Sequence, residues 1–223
     1  MGAFLDLFRV LYEPSAVFGR VAEKPKFVAP FIGIAIIAIV LAYLQLPYSQ
    51  AATASKIAEL AAQNPQAAVN AQKFAGIGIV FAPIAYGVIL VIVATVLWVL
   101  TAIFGGEGKW GTLLSIATYS SITAVLLQAV GLVVLMMKGV ESVTSPADLQ
   151  PALGLNLLAP GTKGFLGAFL AGINPFGLWG MVLNAIGIQV THKTSKQTAY
   201  TVAIVAFVIF LLIAGVAGGA FNK

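Results

Sequence analysis

Apolar residues in this chain gather in long uncharged runs, and the charged residues fall in the short stretches between them. Residues 27–48, 74–104, 113–137, 164–192 and 199–221 hold no Asp, Glu, Lys or Arg. Runs of about 18 or more apolar residues are long enough to cross the hydrocarbon core as helices. The pattern predicts an all-α polytopic membrane protein with five transmembrane helices, over 27–48, 74–104, 113–137, 175–192 and 199–221, preceded by amphipathic interfacial helices in residues 1–26.

Two places break the pattern. The fourth run is interrupted at Asn174-Pro175. The residue before a proline avoids the α region, and Pro lacks the N–H of an inner helical turn. One reading starts a fresh helix here, with Asn174 as N-cap and Pro175 at the first helical position; residues 164–173 then form a short separate helix at the interface or dipping inward. The other reading is one span with a proline kink. The second place is the polar, Ala-rich linker 50–73, interrupted at Asn64-Pro65, which reads as a helical hairpin or two short helices outside the bilayer. The uncharged run 74–104 is longer than one span needs, so its helix tilts or projects, with Pro83 as a kink.

In the N-terminal arm, Asp6, Arg9 and Glu13 are spaced for one helical face, and Phe4, Leu5, Phe8, Leu11 and Tyr12 for the other. That pattern suits a helix lying flat on headgroups. A second short helix over 15–22 presents Val17, Phe18 and Val21. Asp6, Glu13, Glu23, Pro14 and Pro25 argue against a secretory signal. The arm either anchors the first span or forms a partner-docking surface, whose candidates are Arg9, Leu11, Tyr12, Glu13, Pro14 and Arg20.

Composition narrows the chemistry. The chain is 60% hydrophobic and 9% charged, with mean hydropathy +1.01, which fits no soluble globule. It has no cysteine and one histidine, so disulfides, thiolate nucleophiles and multi-histidine metal motifs drop out. No catalytic, cofactor-binding or metal constellation emerges, and no enzyme activity or cofactor is expected. His192 reads as an interfacial turn residue. The Gly-rich turn 105–111 lacks the order of a phosphate loop and reads as a tight interhelical turn with Trp110 at the interface. The net charge of +5 comes from Lys and Arg scattered in loops, so nucleic acid is not an expected partner; the expected partners are the bilayer and other membrane proteins or a second copy of the chain. Seven of the twelve basic residues belong to the arm's side of the topology, against five opposite, which favours a cytoplasmic N-terminus and an external C-terminus.

The third span carries Ser115, Thr118, Tyr119, Ser120, Ser121, Thr123 and Gln128. Such groups within lipid either pack helices together or line a polar route. A candidate intramembrane polar site is Thr118, Tyr119, Ser121, Asn174, Asn184 and Gln189. Gly215 and Gly219 form a GxxxG pair suited to close helix contact, expected within the bundle.

Three stretches in order carry a family resemblance. The arm reads Leu11-Tyr12-Glu13-Pro14-Ser15-Ala16-Val17-Phe18, then Glu23-Lys24-Pro25 and Phe27-Val28-Ala29-Pro30. The third span holds Ala117-Thr118-Tyr119-Ser120-Ser121, and the fourth Asn174-Pro175-Phe176-Gly177-Leu178-Trp179 with Leu183-Asn184-Ala185-Ile186-Gly187. The chain resembles the YIP (Ypt/Rab-interacting protein) domain family in its compact bacterial form. The resemblance implies a five-span, non-enzymatic protein of the bacterial cytoplasmic membrane, acting as scaffold or adaptor in membrane organisation. Eukaryotic members act in early secretory trafficking with lipidated small GTPases; here Glu13 and Thr118 stand where their motifs have glycine. The alternative expectation is a small transporter or channel for a lipid or neutral solute, using the polar third span and the broken fourth.

Overall fold

The computed structural model of the protein describes residues 2–149 and 153–221. Met1 of the arm, Pro151 of the loop between the third and fourth spans, and Lys223, counted among the basic residues, lie outside the described residues. Among the described residues nine α-helices follow in order: α1 Gly2–Arg9, α2 Pro14–Glu23, α3 Val28–Gln63, α4 Pro65–Ile103, α5 Trp110–Ser120, α6 Ile122–Lys138, α7 Gly164–Gly172, α8 Pro175–His192 and α9 Lys196–Phe221. Among the described residues there is no strand. Among the described residues four stretches, Val28–Gln63, Phe81–Ile103, Trp110–Lys138 and Lys196–Gly218, are long and apolar enough to cross a membrane, and α7 with α8, bent by 59°, brings the number to five if the pair is one span. Only 17–39% of the apolar window of the four unbent spans is buried inside the protein. Side chains such as Ile36, Val40, Ile92 and Val133 face outward, an arrangement that is stable with lipid around it.

One compact unit comprises Met1–Ile34, Val88–Ala124 and Ala152–Lys223. In it α2 packs on α5 and α8, α8 packs on α5 and α9, and α7 packs along α9. Val17 and Phe18 of α2, Leu113 and Ile116 of α5, Leu183 and Ile188 of α8 and Val202 of α9 are fully buried. Glycine makes the closest approaches. A Cβ on Gly187 would sit 2.5 Å from Ile116 and 3.3 Å from Phe18, and one on Gly180 would sit 2.7 Å from the Thr123 hydroxyl. The end of α9 uses Gly215 against Phe165 and Gly218 against Ala168 and Gly164. The glycine contact expected near the C-terminus is therefore within the chain, between α9 and α7; the surroundings of Gly219 lie outside what is described. Gly172 meets Leu211 and Gly177 lies beside Phe207, so α7 and α8 both pack along α9 on either side of the break.

The arm differs from the single amphipathic face expected for it. Helix α1 stops at Arg9, and a turn over Val10–Tyr12 leads to α2. Asp6 is buried with Leu7, while Phe4, Leu5, Phe8 and Tyr12 are exposed. Two contacts decide this. Leu7 and Phe4 rest on α3 at Gly33, where a Cβ would come 2.8 Å from Leu7, and Asp6 turns inward to meet α2.

The third span is divided at Ser121. Thr118 Oγ1 donates to the Leu114 carbonyl at 2.7 Å, Ser121 Oγ to Thr118 at 2.7 Å and Thr123 Oγ1 to Ser120 at 3.0 Å. Hydroxyls that bond back to the preceding turn compete with the helical ladder and bend it.

The second unit comprises Ala35–Gly87 and Val125–Pro151. Its core joins Tyr48 and Ala52 of α3 to Leu132 and Leu135 of α6 and to Val143. Tyr48, expected as an interfacial marker at the end of the first span, is buried because α3 continues past it through Pro47 as far as Gln63. Helices α3 and α4, of 36 and 39 residues, are roughly 54 and 58 Å long at 1.5 Å per residue, well beyond a ~30 Å hydrocarbon core. The polar residues 50–63 and 65–73 are the ends of these two helices, which break only at Asn64. There the Asn64 side chain accepts from the Ala67 N–H at 3.1 Å and Pro65 opens α4. After α6, Asp148 accepts from the N–H and hydroxyl groups of Thr144 and Ser145, and these bonds hold its carboxyl below the usual range.

Candidate functional site

The arm is fastened by an ion pair that no local pattern announces. Arg20 Nε donates to Asp6 Oδ2 at 3.1 Å and Nη2 to Oδ1 at 2.6 Å, a two-point contact between α1 and α2. The bond to Asp6 holds the guanidinium proton more firmly still. The fork geometry of Arg suits a carboxylate better than a Lys would. Asp6 and Arg20 thus tie α1 to α2, and Tyr119 is buried on α5.

Of the six docking candidates, Arg9, Tyr12 and Glu13 are exposed on the turn between α1 and α2, with Leu11 and Pro14 half-buried beside them. Arg20 does not join them as a free charge, because it is spent on Asp6. The two partners are unequally placed: the Arg20 side chain is 47% exposed and that of Asp6 10%. This yields an asymmetric expectation. Arg20→Ala strands a buried carboxylate and should cost about 1–3 kcal/mol. Asp6→Ala leaves an arginine that reaches water and should cost under about 1 kcal/mol. Hydrogen exchange over residues 2–23 should rise much more in the first variant; equal effects would mean that the pair does not hold the arm.

The six intramembrane candidates do not converge on one site. Thr118 donates to its own helix, and the Ser121 hydroxyl donates to the Thr118 carbonyl. Tyr119 is buried on α5. Asn174 is the N-cap of α8: its Oδ1 accepts from the Gly177 N–H at 2.9 Å, and its Nδ2 donates to the carbonyls of Ala171 at 3.0 Å and Gly172 at 3.2 Å. The carbonyl of Ile173 accepts from the Leu155 N–H at 3.0 Å. The polar groups exposed by the break are thus consumed by the chain itself, as a backbone at membrane depth requires. Gln189 is half-buried on α8.

Asn184 lies on α8 between Gly180, which sits against Thr123, and Gly187, which sits against Ile116. Asn184 Oδ1 and Ser120 Oγ are both buried without a hydrogen-bond partner. Ser120, which sequence reasoning passed over as a site residue, has no motif to mark it; only its unpartnered buried hydroxyl sets it apart.

The Gly-rich turn is pinned by side chains. Trp98 Nε1 donates to the Gly108 carbonyl at 3.0 Å, Trp110 Nε1 to Thr95 Oγ1 at 3.1 Å, and the Lys109 N–H to His192 Nε2 at 3.2 Å. Among the described residues no group of His, Asp and Glu is arranged to hold a metal ion.

Comparison with known proteins agrees with this architecture. The Yip1 domain model matches residues 8–217. The membrane protein YknW of Bacillus subtilis (strain 168) is 30% identical over 204 residues, covering 89% of this chain and 83% of that protein. No solved structure matches the chain.

Proposed function

This chain belongs to the Yip1 domain family, and from that premise we propose that it is a non-enzymatic membrane scaffold or adaptor that presents the turn between α1 and α2 to another membrane protein or to a second copy of itself. The observation that carries this reading is the way the arm is built. Its inner face is fixed by Val17, Phe18 and the Asp6–Arg20 pair, while Arg9, Tyr12 and Glu13 stand outward, with Tyr12 69% exposed. A rigidly held aromatic flanked by both signs of charge is the kind of anchor that binding surfaces use. The setting is the bacterial cytoplasmic membrane, with the arm on the cytoplasmic face, where Arg9, Lys24 and Lys26 meet anionic lipid.

A second reading, a small transporter or channel for a lipid or neutral solute, draws on the buried, unpaired Ser120 and Asn184 oxygens. It is weakened by the closed hydrogen bonding at Asn174, since discontinuous helices that build transport sites leave backbone groups for the substrate.

The test is a photo-crosslinking residue in place of Tyr12 in native membranes, with the same residue in place of Val133 as a lipid-facing control. Discrete adducts from position 12 that vanish when Arg9 and Glu13 are both changed to Ala are expected. No adduct, together with solute or lipid flux from the reconstituted protein, would reject the scaffold in favour of transport.

A further inference from the structure

We propose that His192 is a proton-operated latch that holds the loop before α5 against the end of α8 at neutral pH and releases it in mild acid. The chain's single histidine has both ring nitrogens engaged. Nε2 receives the Lys109 N–H, and Nδ1 lies 2.7 Å from Thr191 Oγ1. The Thr191 hydroxyl spends its own proton on the Gly187 carbonyl at 2.8 Å, so towards the ring it accepts. These partners place the ring proton on Nδ1 and leave Nε2 as a bare acceptor: a neutral imidazole in one tautomer.

Protonation adds a hydrogen to Nε2 and leaves the Nδ1 side as it was. Nε2 then points a donor at a donor, and the bond to Lys109 is lost. Of the charged groups on the two facing turns, Glu107 and Lys109 on one and Lys193 and Lys196 on the other, the Lys109 ammonium is the charge felt at the ring, and it repels the imidazolium. The consequence reaches beyond one bond because Lys109 is the N-cap of α5 and has no side-chain cap of its own. Its carbonyl takes the first N–H groups of that helix, from Thr112 and Leu113. His192 therefore fixes the residue from which α5 starts, and freeing it loosens the loop together with the first turn of α5.

The full chain in nanodiscs tests this in two ways. The nitrogen-15 spectrum of the single histidine should show the Nδ1–H tautomer at pH 8. Exchange at the Lys109 amide, corrected for its intrinsic pH dependence, should be protected at pH 8 and lose that protection roughly 5- to 10-fold on passing below the ordinary histidine range near pH 6.5, the effect of removing one hydrogen bond. His192→Gln keeps an acceptor that does not titrate, so its protection should be independent of pH; His192→Phe should be unprotected at both. An Nε2–H tautomer at pH 8, or the same acid loss in His192→Gln as in the native chain, overturns the proposal. Should His192→Phe fail to fold, the spectrum and the glutamine variant decide.

Discussion

Replacing Gly187 with leucine should break the contact on which the arm, the third span and the fourth span meet. The Cβ alone would stand 2.5 Å from Ile116 and 3.3 Å from Phe18, and both of those side chains are fully buried. Neither can swing aside into free space, so α8 must move away from α5 and α2. Overpacking of a tight core costs about 1–3 kcal/mol, and more where a branched side chain meets two others. The thermal midpoint in detergent should fall, and protection of α2 against exchange should fall further than that of α9. Gly19→Ala is the matched control. A Cβ at Gly19 meets nothing within 4 Å, so alanine there should raise stability by roughly 0.4–1 kcal/mol through backbone entropy and helix propensity. Opposite signs for the two glycines are the expected result; equal, small effects would mean that α2 is not seated on α8.

Asn174→Ala should be the other severe change. It removes the acceptor that caps α8, worth about 0.5–2 kcal/mol. It also removes the Nδ2 donor to the carbonyls of Ala171 and Gly172. Gly172 keeps a bond from the residue 174 N–H, but the Ala171 carbonyl loses its side-chain partner at a depth where water is scarce, at a further cost of about 1–3 kcal/mol. Together a loss of about 2–4 kcal/mol is expected, with Asn174→Ser retaining the cap and about half the stability. A thermal-shift series separates the outcomes. If Asn174→Ala were as stable as the native chain but altered flux across a reconstituted bilayer, the break would be a transport site rather than a stitched joint.

Much of the fold was legible because the signals are local. Uncharged apolar runs announce helices in lipid, and Asn-Pro announces a helix start wherever it occurs, at Asn64-Pro65 and at Asn174-Pro175 alike. Helix ends were less legible. Hydropathy places a boundary near Tyr48, but the Ala-rich stretch beyond it has helix propensity enough to carry α3 to Gln63. The site was largely illegible because its pairings join distant positions. Asp6 and Arg20 are separated by 14 residues, and Lys109 and His192 by 83; each pair joins two different elements, so periodicity along one helix does not reveal it. Periodicity put Asp6 on a polar face, whereas a partner on the next helix drew it inward. The polar residues of the third span were correctly seen as a cluster, but sequence alone cannot tell a hydroxyl that bonds to its own carbonyl, as in Thr118, from one left unpartnered, as in Ser120.

Because the chain contains no cysteine, single cysteines can map its path through the membrane directly. Positions 15, 105 and 195 should react with a membrane-impermeant thiol reagent from the cytoplasmic side, positions 64 and 145 from the external side, and positions 120 and 184 from neither. Labelling of 105 and 195 from opposite faces, or ready labelling of 120 and 184 by the aqueous reagent, would contradict a bundle of alternating crossings with a closed interior.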